Sequence, residues 1–99
     1  MWILRTDAHA ETGPVTFRVM PGAIKTIGRA RRADFVLDAA MVSRLHCRLT
    51  ASEVGALEVL DLKSTNGTFV NGRRVGRGLL APGDRLKVGR VELTVERKS

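Results

Sequence analysis

The sequence predicts an all-β fold, a sandwich or barrel of short strands, and two observations predict it. Runs of three to seven residues that alternate in polarity or carry β-branched side chains recur along the whole 99-residue chain, with no lasting helical period. Between the runs stand residues that reverse a chain: Gly13-Pro14, Pro21-Gly22, Gly55, Asn66-Gly67, Asn71-Gly72, Pro82-Gly83-Asp84 and Gly89. Residues 1–99 make one domain by length, with no linker, repeat or low-complexity tract. A chain of this size buries about 60–70% of its unfolded surface and folds without staples.

Taken in order, the runs are "WILRT" from Trp2, "VTFRVM" from Val15, "AIKTIG" from Ala23 and "DFVL" from Asp34. In "VTFRVM", Val15, Phe17 and Val19 point one way while Thr16 and Arg18 point the other. "DAAMVSR" (Asp38 to Arg44) has helix-forming residues but is too short to hold a helix, and it reads as a loop. "HCRLTA" and "ALEVLDL" follow, then "TFV", "RLKV" and "VELTVE", the last with Val91, Leu93 and Val95 on one face. Asn-Gly occurs twice within this stretch. Asn71-Gly72 has "TFV" before it and "RRV" after it, the setting of a two-residue hairpin turn. Asn66-Gly67 follows "KST", a poor strand, so it belongs to an exposed loop in which Asn66 is present for its side chain.

Seventeen Lys+Arg against ten Asp+Glu leave a formal charge of +7, and thirteen of the cations are arginine. Arginine's planar fork suits phosphate and carboxylate, so the balance points to an anionic partner: nucleic acid, an acidic membrane surface or a phosphorylated protein. A solvated basic surface would give the same composition. Cys47 is the only cysteine. It excludes an internal disulfide, suits a reducing compartment and reads as small core filler. The first residues carry no basic and apolar leader, and no run approaches the ~20 apolar residues of a membrane helix. A soluble, cytoplasmic protein without membrane attachment is the expectation.

Three segments place polar residues where strands should turn. In "TIGRARRADF" a strand ends at Gly28, Arg29 opens a loop, and Arg31 and Arg32 follow. The glycine is expected to let the backbone bend there and aim the guanidinium off the strand end. "VSRLHCRL" presents Ser43, Arg44 and His46 ahead of an apolar strand, and "KSTNGTF" presents Ser64, Thr65, Asn66 and Gly67. Hydroxyls, amides and guanidinium groups in this combination can surround one set of phosphate oxygens with charge-assisted hydrogen bonds.

These residues, in this order on a background of strands, resemble the forkhead-associated (FHA) domain family. The resemblance rests on "GR" at the end of an early strand, "SRLHC", "DLKSTNGTFVNG" and "LAPGDRLKVG". Its motifs span residues 24–89, and the flanking strand patterns extend it to nearly the whole chain. It implies an FHA-type (SMAD/FHA-like) β-sandwich of about eleven strands with the binding loops at one end, which recognises phosphothreonine in partner proteins of a Ser/Thr kinase pathway. By the same resemblance Arg29 contacts the phosphate or braces the peptide backbone, Ser43 donates its hydroxyl to the phosphate, and Arg44 adds a second cation. Thr65 lines the phosphate and threonine-methyl site, Asn66 bonds the ligand's main chain, and His46 ties the loops together. Gly28, Ser64 and Gly67 support them, while Arg31 and Arg32 either select acidic residues near the phosphosite or only add solubility. Phosphothreonine suits such a site physically, since it brings a charge of about −1.5 to −2 and three acceptor oxygens.

Other readings are weaker. Arg29 as a mere surface ion pair with Asp34 or Asp38 would not require the glycine before it. Ser43, His46 and Asp61 are the residue types of a catalytic triad, but no nucleophile elbow holds them, and catalysis is not expected. His9, His46 and Cys47 are too scattered for a metal, and no cofactor is implied. Nucleic acid is disfavoured: of the four aromatics, Trp2, Phe17, Phe35 and Phe69, the phenylalanines fall on core-facing positions or beside the loop and form no stacking platform. A phosphate-independent scaffold or dimerisation module on the same fold would be signalled by loss of the arginine or serine, and both are present.

Overall fold

Each alternating run becomes a strand with one apolar face, and the apolar faces close on one another. The computed structural model describes residues 1–99. It contains no helix and eleven strands: β1 (Trp2–Thr6), β2 (Thr16–Val19), β3 (Ile24–Gly28), β4 (Phe35–Val36), β5 (Cys47–Ala51), β6 (Leu57–Asp61), β7 (Thr68–Val70), β8 (Arg73–Arg74), β9 (Arg77–Leu80), β10 (Arg85–Val88) and β11 (Val91–Arg97). They form a six-stranded sheet, β2-β1-β11-β10-β7-β8, and a five-stranded sheet, β4-β3-β5-β6-β9. The pairings are antiparallel except β3 with β4.

The core lies between the sheets. Phe17 and Val19, Cys47, Leu49 and Ala51, Leu57 and Val59, Leu86 and Val88, and Val91, Leu93 and Val95 point into it at the period of two that their sequence shows. Burying each large aliphatic side chain contributes about 1.5–3 kcal/mol. Phe17 and Phe35 stack at 4.4 Å between ring centroids, which joins β2 of one sheet to β4 of the other.

Register decides where the loops gather. Ile27 pairs with Cys47, Cys47 with Asp61, Thr68 with Val88 and Val88 with Val91. The ends of β3, β6 and β10 and the starts of β5, β7 and β11 therefore share one end of the sandwich. Trp2 pairs with Arg97 at the opposite end, where the Met1 amine donates to the Lys98 carbonyl (3.0 Å) and the Lys98 N–H to the Met1 carbonyl (2.8 Å).

Alternation alone does not reveal β9. Arg77-Gly78-Leu79-Leu80 is an edge strand bonded only to β6, with Gly78 breaking the pattern and Leu79 70% exposed. The segment from Asp38 to Arg44 is irregular, as its length implied. Asn71 and Gly72 take φ of 50° and 83° between the paired residues Val70 and Arg73, the double positive φ of a type I′ hairpin. Asn71 does more than tolerate that backbone. Its Nδ2–H donates to Asp84 Oδ1 (3.0 Å) and its Oδ1 accepts the Arg85 N–H (2.9 Å), binding the turn to the start of β10.

Asn71→Gly keeps the turn but loses both side-chain bonds, so it should cost about 1 kcal/mol and lower Tm by about 4–8 °C. Asn71→Ala should cost a further ~1 kcal/mol, because alanine is strained at positive φ. Thermal unfolding followed by circular dichroism ranks the two; alanine the more stable would contradict the assignment.

Candidate functional site

The loops at the shared end are locked to one another before any ligand is considered. The Arg29 N–H donates to the Ser43 carbonyl (2.9 Å) and the Ala30 N–H to the Arg44 carbonyl (3.1 Å), so the chain leaving β3 runs against the chain entering β5. Gly28 permits this closeness. Its φ is not positive, so the expected sharp bend is not its role. A Cβ there would collide with the Arg44 carbonyl oxygen and stand 2.7 Å from the carbonyl carbon.

His46 is fully buried. Its Nδ1 accepts the Ser43 N–H (3.0 Å), and since a backbone N–H only donates, the ring proton sits on Nε2, which donates to the Gly67 carbonyl (2.8 Å). One neutral imidazole thus joins the β4–β5 loop to the β6–β7 loop.

Asp61 organises the second of these loops. Ser64 Oγ (2.6 Å) and Thr68 Oγ1 (2.7 Å) both donate to Asp61 Oδ1, and the Ser64 N–H donates to Oδ2 (3.2 Å). Ser64 Oγ in turn accepts the Gly67 N–H (3.0 Å). Gly67 at φ 90° and Lys63 at φ 58° supply the two left-handed positions of this loop. Burial works against the ionised Asp61, but the hydrogen bonds from Ser64 and Thr68 outweigh it and hold the carboxyl below its ordinary value. Burial, with the Asp61 charge adding to it, pushes the Cys47 thiol up to about 12, so it stays protonated core filler.

On this base the expected binding groups come together with donors to spare. Arg29 is exposed; its Nε–H donates to the Val42 carbonyl (3.0 Å) and its terminal nitrogens point onward unpaired. It forms no ion pair with Asp34 or Asp38; Asp34 instead accepts the Thr26 N–H (2.8 Å) and hydroxyl (3.1 Å). Ser43 Oγ accepts the Thr65 N–H (3.1 Å), leaving the hydroxyl proton free to donate. Thr65 and Arg44 are exposed, with no hydrogen bond from either side chain. Asn66 is half-buried, and its Nδ2–H donates to the Met41 carbonyl (3.0 Å) while Oδ1 has no protein partner. Asn66 therefore serves the fold as well, contrary to an exclusively ligand-directed reading. Arg31 and Arg32 are exposed beyond this cluster and unpaired.

None of the molecule's three ion pairs, Arg5–Glu96, Arg77–Glu58 and Arg85–Glu92, includes a residue of these loops. The rim is a set of cations, hydroxyls and one amide without acidic partners, suited to a tetrahedral anion on an extended chain. The largest concavity, about 520 Å³, is elsewhere, lined by Arg5, Asp7, His9, Glu92 and their neighbours, and shares no residue with the rim. A surface phosphate needs converging donors and not a deep cavity. Sequence reading missed the role of Asp61, although an aspartate three residues before a serine is a local side-chain-to-backbone signal. It also missed the Met41 carbonyl and Gly89, where a Cβ would stand 2.8 Å from the Met41 carbonyl carbon; nothing local marks that contact.

Comparison with known proteins agrees with this geometry. The family profile described as "FHA domain" matches residues 25–89. An ABC transporter ATP-binding/permease protein of Mycobacterium tuberculosis is 42% identical over 81 residues, 82% of this chain and 9% of the transporter. Glycogen accumulation regulator GarA of Mycolicibacterium smegmatis is 39% identical over 66 residues, 67% of this chain and 41% of the regulator. The chain thus spans a tenth to under half the length of these two relatives. A solved structure from a study of phosphothreonine-dependent FHA domain interactions is 33% identical, with a TM-score of 0.86, and the match covers 99% of this chain and 97% of that one.

The depressed carboxyl of Asp61 fixes a pH dependence. Its folded pKa lies below 3.8, so its stabilising bonds are complete above that value and are lost as pH falls through the folded pKa. Urea unfolding should show stability declining below about pH 4, and Asp61→Asn should flatten that decline while costing about 1–3 kcal/mol at pH 7. Asp34 shifts in the same direction, so some acid sensitivity persists in the variant. An acid profile unchanged by Asp61→Asn would contradict this role.

Proposed function

The chain belongs to the FHA domain family, and on that footing we propose that residues 1–99 are a phosphothreonine-peptide reader for a Ser/Thr kinase pathway. The observation that carries the reading is the free donor set on one rim: the unpaired end of Arg29, the Ser43 hydroxyl proton and the exposed Thr65 hydroxyl, with no acidic partner on any of them. A dianionic phosphate supplies the acceptors this set lacks. Arg29 and Ser43 bond the phosphate, Thr65 lines the phosphate and methyl, and Asn66 offers Oδ1 to the peptide main chain. Arg44 adds a second cation, and Arg31 and Arg32 face the residues beside the phosphosite. Nothing in this assignment calls for a cofactor or a catalytic step. No helix is long and apolar enough to cross a membrane, and action in the cytoplasm, where such kinases meet their substrates, is part of the proposal.

Phosphate dependence is the first test. In calorimetric titration a phosphothreonine peptide should bind and its unphosphorylated twin should not. Arg29→Ala should weaken binding by about ten- to a hundredfold, the loss of one charge-assisted contact. Equal affinity for both peptides would overturn the reading in favour of a phosphate-independent scaffold.

The second test concerns the threonine methyl. Threonine is stiffer than serine at χ1, and burying its methyl contributes about 1 kcal/mol. Matched phosphoserine peptides should bind at least severalfold more weakly by fluorescence anisotropy; parity would show that no methyl site is used.

A further inference from the structure

The groups facing the phosphate are not the last cations the loops present. A Cβ placed on Gly67 would stand 2.9 Å from Arg74 Nε, 3.1 Å from Arg74 Cζ and 3.2 Å from Phe69 Cε1, so both side chains lie against the loop that carries Asn66. Register explains the convergence. Phe69 pairs with Arg74 on one side and with Lys87 on the other, and the neighbouring pair Thr68 and Val88 points into the core, so this row faces outward. The Lys87 ammonium lies 5.7 Å from the centre of the Phe69 ring. Arg74, Phe69 and Lys87 form a cation–aromatic–cation row that begins at the β6–β7 loop.

No acid neutralises the end of this row nearest the loop. Arg77 has Glu58 at 3.5 Å. Glu92, the residue opposite Lys87 in β11, engages Arg85 at 3.6 Å. Arg74 has neither an ion pair nor a side-chain hydrogen bond, although Phe69 and the loop hold it in place. A guanidinium restrained by packing but unpaired loses little entropy when it binds an anion. Adjacent strands are ~4.8 Å apart, so the backbones that carry the two cations are about 10 Å apart, the reach of about three residues of extended chain.

We propose that Arg74, with Lys87 across Phe69, forms a carboxylate subsite that reads acidic residues flanking the phosphothreonine. The ligand class becomes a phosphothreonine peptide whose flank, carried past Asn66 and Gly67, bears Asp or Glu. This rests on the phosphothreonine reading above and deepens it.

The test is calorimetric titration of phosphothreonine peptides in which Asp, Ala or Lys is walked through the flanking positions. The intact protein should prefer Asp over Ala by about three- to tenfold at one or more positions, the worth of one or two partly exposed ion pairs. Arg74→Gln, which keeps the stem over Gly67 and removes the charge, should lower that ratio by about threefold, and Arg74→Gln with Lys87→Gln should bring it to about one, the alanine-flanked peptide being unaffected by either. Arg74→Glu should invert it toward Lys. An acidic preference undiminished by Arg74→Gln, or no preference in the intact protein, would overturn the subsite. Arg29→Ala separates the two failures, since acidic peptides that bind it with undiminished affinity, phosphorylated or not, would defeat the phosphothreonine reading itself.

Discussion

The neutral imidazole of His46 is the constraint on which the recognition end depends. Its two nitrogens do opposite work, Nδ1 accepting from the Ser43 N–H and Nε2 donating to the Gly67 carbonyl. The ring is fully buried, so water cannot replace either bond. A side chain unable both to accept and to donate across that span would leave a backbone group orphaned, at a cost of about 1–3 kcal/mol. Ser43, whose own N–H the ring accepts, and Asn66, one residue before the carbonyl it bonds, are both positioned by it.

Around that ring the loops behave as an extension of the sheets. The carbonyls of Ser43 and Arg44 accept from Arg29 and Ala30, and Asp61 gathers two hydroxyls and one N–H. Every one of these bonds is made without ligand, so little loop ordering remains to oppose association. The groups that are left over are those with spare donors. Rigidity and availability therefore coexist because they fall on different atoms of the same residues: Arg29 is anchored through its backbone and Nε while its terminal nitrogens remain open.

What was legible in the sequence follows from the range over which each feature is encoded. Strands such as β2 and β11 state their inward faces in their own alternation, and the hairpin at Asn71-Gly72 is written in two residues. Arg29, Ser43, Thr65 and Asn66 could be nominated because their motifs resemble a family pattern. Features set by contact between distant segments could not be read. Gly28 is a glycine because the Arg44 carbonyl arrives from sixteen residues away, Asn66 is held by a carbonyl at Met41, and Arg74 reaches Gly67 only through the β7–β8 register. β9 was hidden for another reason, since an edge strand with one inward leucine has almost no pattern to show.

The pairing of the two chain ends has a consequence for attachment. Met1 and Lys98 exchange backbone hydrogen bonds at the end of the sandwich opposite the rim. Any tether entering before β1 or leaving after β11 departs from one spot on the back of the module, so the rim faces away from whatever the module is fastened to.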